Sequence, residues 1–290
     1  MSIEINTECL LCHLRRNLET ARSLGDEQTA MDFAKELMQL YLDMPVDASS
    51  SALTPGVNAL LQKHYGLEAD RYRREKEESN RFVLARMEDI RERVAQAHDP
   101  LLAALQFSIL GNYMDFSALQ GKVSFRKLDE MLDQAARMEL DSKAYQALRQ
   151  DLEKGKKLLY LTDNAGEICF DRVFAEQIKK EFPHIQITFC VRGTPVHNDA
   201  TREDATVAGI PFPVIDNGNG VGGTELSLLS REAKQAVNEA DVIIAKGQGN
   251  TETLYGCGLN IYYAFLVKCS RFVQEFQKPL LTPMLVRERK

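Results

Sequence analysis

From residue 8 to about 155, the apolar residues recur with the period of an α-helix. Segment 9–24 has apolar residues at 10, 11, 14, 18, 21 and 24, and segment 30–44 repeats this spacing. A repeat near 3.6 residues places such residues on one face of a helix. Segments 81–97 and 141–155 show the same pattern. Breaks between helices are expected at Gly25, Pro45, Pro55, Gly66 and Pro100.

After Gly155, short apolar runs alternate with helical stretches. The runs are 157–162, 185–191, 212–216, 241–246 and 261–268, and the helical stretches are 167–181, 200–208 and 227–239. This alternation predicts βαβ units and a mainly parallel sheet, and continuous apolar strands suit a sheet covered on both faces. We expect an all-helical N-terminal region, 1–155, followed by a three-layer α/β/α domain of the α/β class, 156–290.

Composition and charge are those of an ordinary globular protein. The 290 residues are 44% apolar and carry a net charge of −6, without a basic tail or dense basic face. Nucleic acid is therefore not expected as a partner. The chain has no run of 18 apolar residues, and residues 1–16 lack the pattern of a signal peptide. We expect a cytoplasmic protein without membrane contact, and the sequence does not predict its oligomeric state.

Six cysteines are present, of which Cys9 and Cys12 alone are closely spaced. Without a secretion signal, reduced thiols are expected rather than disulfides. The CLLCH segment also matches a haem attachment pattern, which we reject because that chemistry requires export. Two interpretations stay open. The pair is either half of a metal or redox site, or two thiols packed on the first amphipathic helix.

Acids, amides and glycines follow four of the predicted strands. In open α/β sheets, ligands bind beyond the carboxyl ends of the strands, so these residues are expected to share one site. The polar segments are 163–167, 192–199, 216–223 and 246–252. Taken alone, Asp163 could instead cap the helix that follows it. That interpretation does not explain the polar residues at the other strand ends.

The residue types at the strand ends favour phosphoryl chemistry. Asp163, Asn164 and Asp199 offer the hard oxygen ligands that Mg²⁺ and Mn²⁺ prefer. Lys246 is a cation suited to a phosphate, and the backbone NH groups of 246–250 could cradle an anion. A metal ion held there would neutralise charge on the phosphate and lower the pKa of a bound water. Whether water or Asp163 attacks phosphorus stays open.

Two further features allow other interpretations. The glycine-rich loop 218–223 follows a predicted strand, as in dinucleotide-binding folds, although it follows the third strand rather than the first. A cofactor-dependent methyltransferase or a nucleotide-binding protein is therefore the alternative function. His197 is either a general acid or, more commonly for a histidine in a loop, a hydrogen-bonding residue.

Three motifs resemble those of the metal-dependent damage-control phosphatases. They are DNAGE at 163–167, VRGTPVHNDAT at 191–201 and KGQGNTE at 246–252. GNYMDF at 111–116 and CLLC at 9–12 resemble shorter segments of the same family. The resemblance implies a helical N-terminal region before an α/β/α domain. It also implies hydrolysis of small phosphometabolites, such as sugar phosphates or related damaged compounds.

The resemblance also implies roles for individual residues. Asp163, Asn164 and Asp199 would hold one divalent metal, Mn²⁺ or Mg²⁺ first and Co²⁺ or Ni²⁺ next. Together with Lys246 they form the predicted catalytic set. The residues expected to bind or shape a phosphorylated substrate are Asn112, Asp115, Glu167, Asn198, Lys246, Gly247, Asn250 and Glu252.

Overall fold

The helical region is folded as the apolar period predicts. The computed structural model describes residues 3, 5–45, 48–68, 70–116, 118, 119 and 121–288. Its first eight helices are α1 Thr7–Leu24, α2 Glu27–Leu42, α3 Thr54–Tyr65, α4 Arg73–Leu84, α5 Met87–Gln96, α6 Pro100–Gly111, α7 Phe125–Asp133 and α8 Ser142–Lys154. The side chains of Asp26, Asp99 and Asp141 accept from backbone NH groups of the following first turn and so fix three helix starts. The single helix predicted over 81–97 is wrong, because this segment forms parts of two helices, α4 and α5, which are interrupted between Leu84 and Met87.

The second region alternates strands and helices. Its elements are β1 Lys157–Leu161, α9 Glu167–Glu181, β2 Gln186–Val191, α10 Arg202–Val207, β3 Val214–Asp216, α11 Arg231–Glu239, β4 Val242–Lys246, α12 Gly247–Leu254, β5 Ile261–Leu266, α13 Ser270–Phe276 and β6 Pro283–Arg287. The five predicted strands are confirmed. Helices α12 and α13 and strand β6 were not predicted. Two glycines in α12 and a proline that opens β6 weaken the sequence signal of both elements.

The sheet has the strand order β3-β2-β1-β4-β5-β6. Strands β1 to β5 are parallel, and β6 pairs with β5 in the antiparallel direction. The sheet grows outward in opposite directions from the β1–β4 pair. A crevice therefore opens beyond the carboxyl ends of these two strands, where ligands of open α/β sheets bind.

Successive residues of the central strands enter two different cores. Leu158 and Tyr160 of β1 belong to the larger core, which contains residues of α4 to α10. Leu159 and Leu161 point to the opposite face and pack with residues of α11, α12 and α13. This alternation follows from the two-residue period of a strand. The sheet thus lies between two helical layers, which confirms the predicted three-layer fold.

The helices before the sheet divide into two packing groups. Residues 83–152 contribute to the larger core together with the strands, whereas α1, α2 and α3 surround a small core of their own that includes Phe33, Leu37 and Leu61. Division into domains 1–155 and 156–290 stays a prediction, although the change from helix to strand does fall between Lys154 and Lys157. None of the helices in the described ranges is long and apolar enough to cross a membrane.

Candidate active site

The loops after β1 and β2 are joined by backbone hydrogen bonds. Ala200 N donates to Asp163 O at 2.7 Å, and Ala165 N donates to Asn198 O at 2.8 Å. Asn164 and Asp199 form an isolated antiparallel bridge. The predicted ligands Asp163, Asn164 and Asp199 are therefore neighbours in space, although 35 positions separate Asn164 from Asp199 in sequence.

The carboxylate of Asp163 is buried among amide donors and other acids. Its Oδ2 accepts from Asn112 Nδ2 at 2.9 Å and from Asn164 Nδ2 at 2.7 Å. Burial, followed by the charges of Asp199 and Glu167, raises the pKa of Asp163 well above its usual value. Without a further cation, this carboxylate is held in an environment that disfavours its charged form.

Gly247 allows the Asp163 carboxylate to occupy its position. Gly247 has φ +77°, and a Cβ there would lie 2.0 Å from Asp163 Oδ2. Any other residue would therefore collide with the carboxylate. The predicted substrate-binding role of Gly247 stays a prediction, and the structure shows why the first residue of α12 has no side chain.

Asp199 is held by an arginine that was not predicted as a site residue. Arg192 Nε donates to Asp199 Oδ2 at 2.7 Å, and Arg192 Nη1 donates to Gly223 O at 2.9 Å. Arg192 Nη2 is 3.7 Å from Asp163 Oδ1. Burial raises the pKa of Asp199 to about 6, and Arg192 opposes that rise. One guanidinium thus hydrogen-bonds Asp199 and lies within ion-pair distance of Asp163.

The donor set fits a hard divalent cation. The two carboxylates lie beside the amide of Asn164. Its nitrogen already donates to Asp163 and Glu167, so its carbonyl oxygen is the atom that could bind a metal. The raised pKa values of Asp163 and Asp199 are those of clustered acids that a cation would relieve. Within the described ranges, no three His, Cys, Asp or Glu side chains are arranged to bind a metal. The set of Asp163, Asn164 and Asp199 differs from such a group because one of its three members is an asparagine.

Lys246 lies below the crevice, in a fully buried cluster of charges. Its Nζ donates to Glu167 Oε1 and Asp171 Oδ1, both at 2.7 Å, and to Ser108 O at 3.0 Å. All three charged side chains have zero exposure. Burial alone would lower the pKa of Lys246, but Asp171 and Glu167 raise it. The ammonium group therefore neutralises buried acids, and its predicted contact with phosphate stays a prediction.

Three predicted amide residues connect the site to its surroundings. Asn112 Nδ2 contacts Glu167 as well as Asp163, and its Oδ1 accepts from Leu266 N. Asn250 Nδ2 donates to two backbone carbonyl oxygens, and its Oδ1 accepts from Arg192 Nη1 and Thr224 Oγ1. Asn198 Nδ2 donates to Met114 O, which ties the GNYMDF segment to the rim. These amides position the acids and loops of the site.

A cavity of about 170 Å³ opens above the acids. Of the predicted site residues, Asp115, Asp163, Asp199 and Glu252 line it, and His197 does so too. The opposite wall comes from helix α1, the start of α3 and the start of α13. The cavity is therefore formed between the sheet rim and the N-terminal helices, and the other predicted site residues lie behind its wall.

Asp115 and Glu252 are cavity-lining carboxylates with local partners. Burial raises the pKa of Asp115, but Lys268 Nζ, at 2.6 Å, holds it below the usual value overall. Glu252 accepts from Ser50 Oγ at 2.5 Å and from Ser51 Oγ at 3.3 Å, and burial raises its pKa. Asp115 therefore remains charged, whereas Glu252 is the more readily protonated of the two.

His197 and the two N-terminal cysteines also line this cavity. Burial and nearby Arg16 lower the pKa of His197 to about 3. The imidazole ring is therefore neutral near pH 7, and His197 is not in the protonated form that a general acid requires. All six cysteines are free, with Cys12 exposed and Cys9 partly exposed. The packed-thiol interpretation is therefore wrong for Cys12, whose side chain is not enclosed by the core.

The glycines of loop 218–223 serve close backbone packing. A Cβ on Gly249 of α12 would lie 1.8 Å from Gly222 O, and a Cβ on Gly223 would lie 2.4 Å from Gly249 O. The loop is thus packed closely against α12. Of residues 218–223, Gly222 lines the cavity. This accounts for the glycines without a nucleotide cradle. The GQGN segment at 247–250 forms the first turn of helix α12.

Comparison with known families agrees with this geometry. The family model described as the damage-control phosphatase ARMT1-like domain matches residues 5–281. The chain belongs to the damage-control phosphatase family. This confirms the family predicted from the motifs and makes the chain a phosphatase. Substrates of such an enzyme are phosphorylated metabolites.

Individual relatives of this damage-control phosphatase match along most of their length. A damage-control phosphatase of Archaeoglobus fulgidus is 30% identical over 276 residues, which cover 92% of this chain and 93% of the relative. An uncharacterised protein of Methanocaldococcus jannaschii is 33% identical over 280 residues, covering 92% and 90%. The crystal structure of a DUF89 family protein from Pyrococcus horikoshii matches with a TM-score of 0.83 and 28% identity over 99% of both chains. The fold is therefore shared over the whole chain.

Several residues of this phosphatase site were not identified from the sequence. Arg192 directly follows β2, and Lys268 lies two residues beyond β5. Their position at strand ends could have identified them as site residues. Asp171 is one turn beyond Glu167 on α9 and shares its lysine partner. Arg16 and Arg271 gave no signal, because they reach the cavity from helices outside the sheet rim.

Proposed function

We propose that this damage-control phosphatase uses one divalent metal, Mn²⁺ or Mg²⁺, to hydrolyse small phosphometabolites such as sugar phosphates. The observation that carries the proposal is the pairing of Asp163 and Asp199 beside Asn164 at the cavity floor. The two carboxylates are 6% and 5% exposed and belong to loops joined by backbone hydrogen bonds. A cavity of about 170 Å³ suits a small substrate rather than a polymer.

The residues around the pair would prepare the site for phosphate. A divalent cation bound to Asp163, Asn164 and Asp199 would supply Lewis acidity to the phosphoryl oxygens and to an attacking water. Arg192 orients Asp199, and the amides of Asn112 and Asn164 orient Asp163. Fixed groups of this kind need little reorganisation when charge develops on the substrate. Water and Asp163 remain the two candidate nucleophiles.

A phosphate-release screen tests the proposal. Purified protein is incubated with a panel of phosphometabolites and Mn²⁺, Mg²⁺, Co²⁺ or Ni²⁺, with EDTA as the chelator control. We expect release that requires a metal and falls by at least about a hundredfold in Asp163→Asn and Asp199→Asn. Metal-independent release, or normal turnover by both variants, would contradict the proposed role of the pair.

Asp216→Asn is the matched control variant. Asp216 ends strand β3 on the same rim, but its Oδ2 accepts from Arg202 and it does not line the cavity. Its replacement removes the same charge from the same edge of the sheet. We expect activity to stay within about threefold of the wild type. S-adenosylmethionine binding without phosphate release would instead favour the methyltransferase alternative.

A further inference from the structure

Two arginines line the wall of the cavity that faces the N-terminal helices. Arg16 comes from α1 and Arg271 from α13, and they are the cationic side chains among the described lining residues. The acidic lining residues are Glu8, Asp115, Asp163, Asp199 and Glu252. Both arginines therefore come from helices, whereas the paired acids Asp163 and Asp199 come from the loops after β1 and β2.

The three other cations of the rim pair with acids and do not line the cavity. Lys246 bonds Glu167 and Asp171, and Lys268 Nζ donates to Asp115 Oδ2. Arg192 donates to Asp199. These three side chains are at most 2% exposed. Recognition of an anionic substituent in the open cavity therefore depends on the two arginines of the wall.

Helices α1 and α13 pack together at this wall. Gln274 Nε2 donates to Glu8 Oε1 at 3.3 Å, and Arg271 lies one helical turn before Gln274. Both arginines act on Glu252, where they oppose the rise in its pKa that burial causes. The arginines thus lie around the Glu252 side of the cavity.

Arg271 has an unused donor. Its Nη1 bonds Glu275 Oε2 at 3.0 Å, which anchors the guanidinium to α13. Its Nε is buried and has no hydrogen-bond partner among the residues that the structure describes. Burying a donor without an acceptor costs free energy, and an anionic oxygen from a bound molecule would supply the missing bond.

We propose that Arg16 and Arg271 bind a second anionic group of the substrate, a carboxylate or a second phosphate. This inference rests on the proposed function, which places the phosphoryl group to be hydrolysed at Asp163 and Asp199. A guanidinium suits the second group because its planar donors match carboxylate and phosphate oxygens. The enzyme therefore selects phosphometabolites with two anionic ends over those with one.

Matched substrate pairs test this selectivity. Glucose 1,6-bisphosphate is compared with glucose 6-phosphate, and 3-phosphoglycerate with glycerol 3-phosphate. We expect wild-type kcat/KM to favour the two-anion member of at least one pair, and which pair responds identifies a phosphate or a carboxylate as the second group. Arg271→Gln and Arg16→Gln should each reduce that preference about tenfold, with Arg271→Lys retaining part of it.

Arg15→Gln is the matched control. Arg15 is exposed on α1, next to Arg16 in sequence, and does not line the cavity. It should leave the preference unchanged. Absence of a preference in the wild type, or an equal loss for both members of a pair in Arg271→Gln, would overturn the inference.

A binding measurement separates this inference from the proposed function. Calorimetric titration with glucose 1,6-bisphosphate uses an Asp163→Asn background, which removes turnover. Adding Arg271→Gln should weaken binding about tenfold, whereas adding Arg15→Gln should not. If the phosphate screen fails but this difference is found, the subsite stands and the hydrolytic assignment falls. Equal affinities in the two double variants would refute the subsite.

Discussion

The carboxylate of Asp163 fills the space where a side chain at Gly247 would lie. A Cβ at position 247 would be 2.0 Å from Asp163 Oδ2 and 2.2 Å from its Cγ. Gly247 begins α12 directly after β4, and Asp163 lies just beyond β1, so this contact crosses the crevice at the centre of the sheet. The relationship links the backbone conformation of α12 to the position of the principal candidate metal ligand.

Gly247→Ala should therefore abolish phosphate release and destabilise the protein. Its φ of +77° costs about 1–2 kcal/mol for alanine, and displacement of Asp163 adds a second cost. Gly258→Ala is the control, because Gly258 has φ +80° with no atom within 4 Å of its Cβ position. Urea unfolding and phosphate release are measured on both. Similar losses of activity in the two variants would show that the contact with Asp163 does not matter.

Asp163→Asn should stabilise the metal-free protein while removing its response to metal. Burial, Asp199 and Glu167 disfavour the Asp163 charge, and asparagine can still accept from the amides of Asn112 and Asn164. A relief of about 1 kcal/mol corresponds to a rise in Tm of about 2–4 °C for a chain of this size. Thermal unfolding is measured in EDTA and in Mn²⁺. A variant that is less stable in EDTA and still stabilised by Mn²⁺ would contradict this expectation.

Lys246→Met should strongly destabilise the fold. Removal of the ammonium leaves Glu167 and Asp171 buried without a cation, a change that costs about 3–5 kcal/mol in comparable sites. Lys157→Met is the control, because Lys157 pairs with Glu239 at 2.7 Å where both side chains are nearly half exposed. That surface pair is worth about 0–1 kcal/mol. Urea unfolding that shows equal effects would mean that the buried cluster does not depend on Lys246.

His13→Gln should remove a loss of stability in acid. Burial and Arg16 lower the pKa of His13 to about 3, so the folded protein keeps this ring neutral. The unfolded chain takes up the proton near pH 6.5, and acid therefore favours unfolding as pH falls below that value. Between pH 7.5 and 5, the free energy of unfolding of the wild type should fall by about 2 kcal/mol relative to the variant. A difference that does not change with pH would exclude this role.

Much of the fold follows from local patterns that the sequence displays. Continuous apolar runs alternating with helical stretches predict a parallel sheet, and five strands lie where these runs occur. Parallel strands bring their carboxyl ends to one edge, so the nearness of Asp163 and Asp199 was predictable from topology. Strand β6 was not, because a proline opens it and it pairs in the antiparallel direction at the edge of the sheet.

The sequence alone determined which polar residues gather at the rim, because the five predicted strands are parallel and their carboxyl ends lie on the same side. The tertiary structure alone decided what each residue faces. Lys246 and Glu167 are 79 positions apart, and Asn112 and Asp163 are 51 apart. Contacts at such separations depend on how helices pack across the sheet, which no local period encodes. For that reason a lysine that resembles a phosphate ligand lies among buried acids, while arginines from α1 and α13 line the cavity.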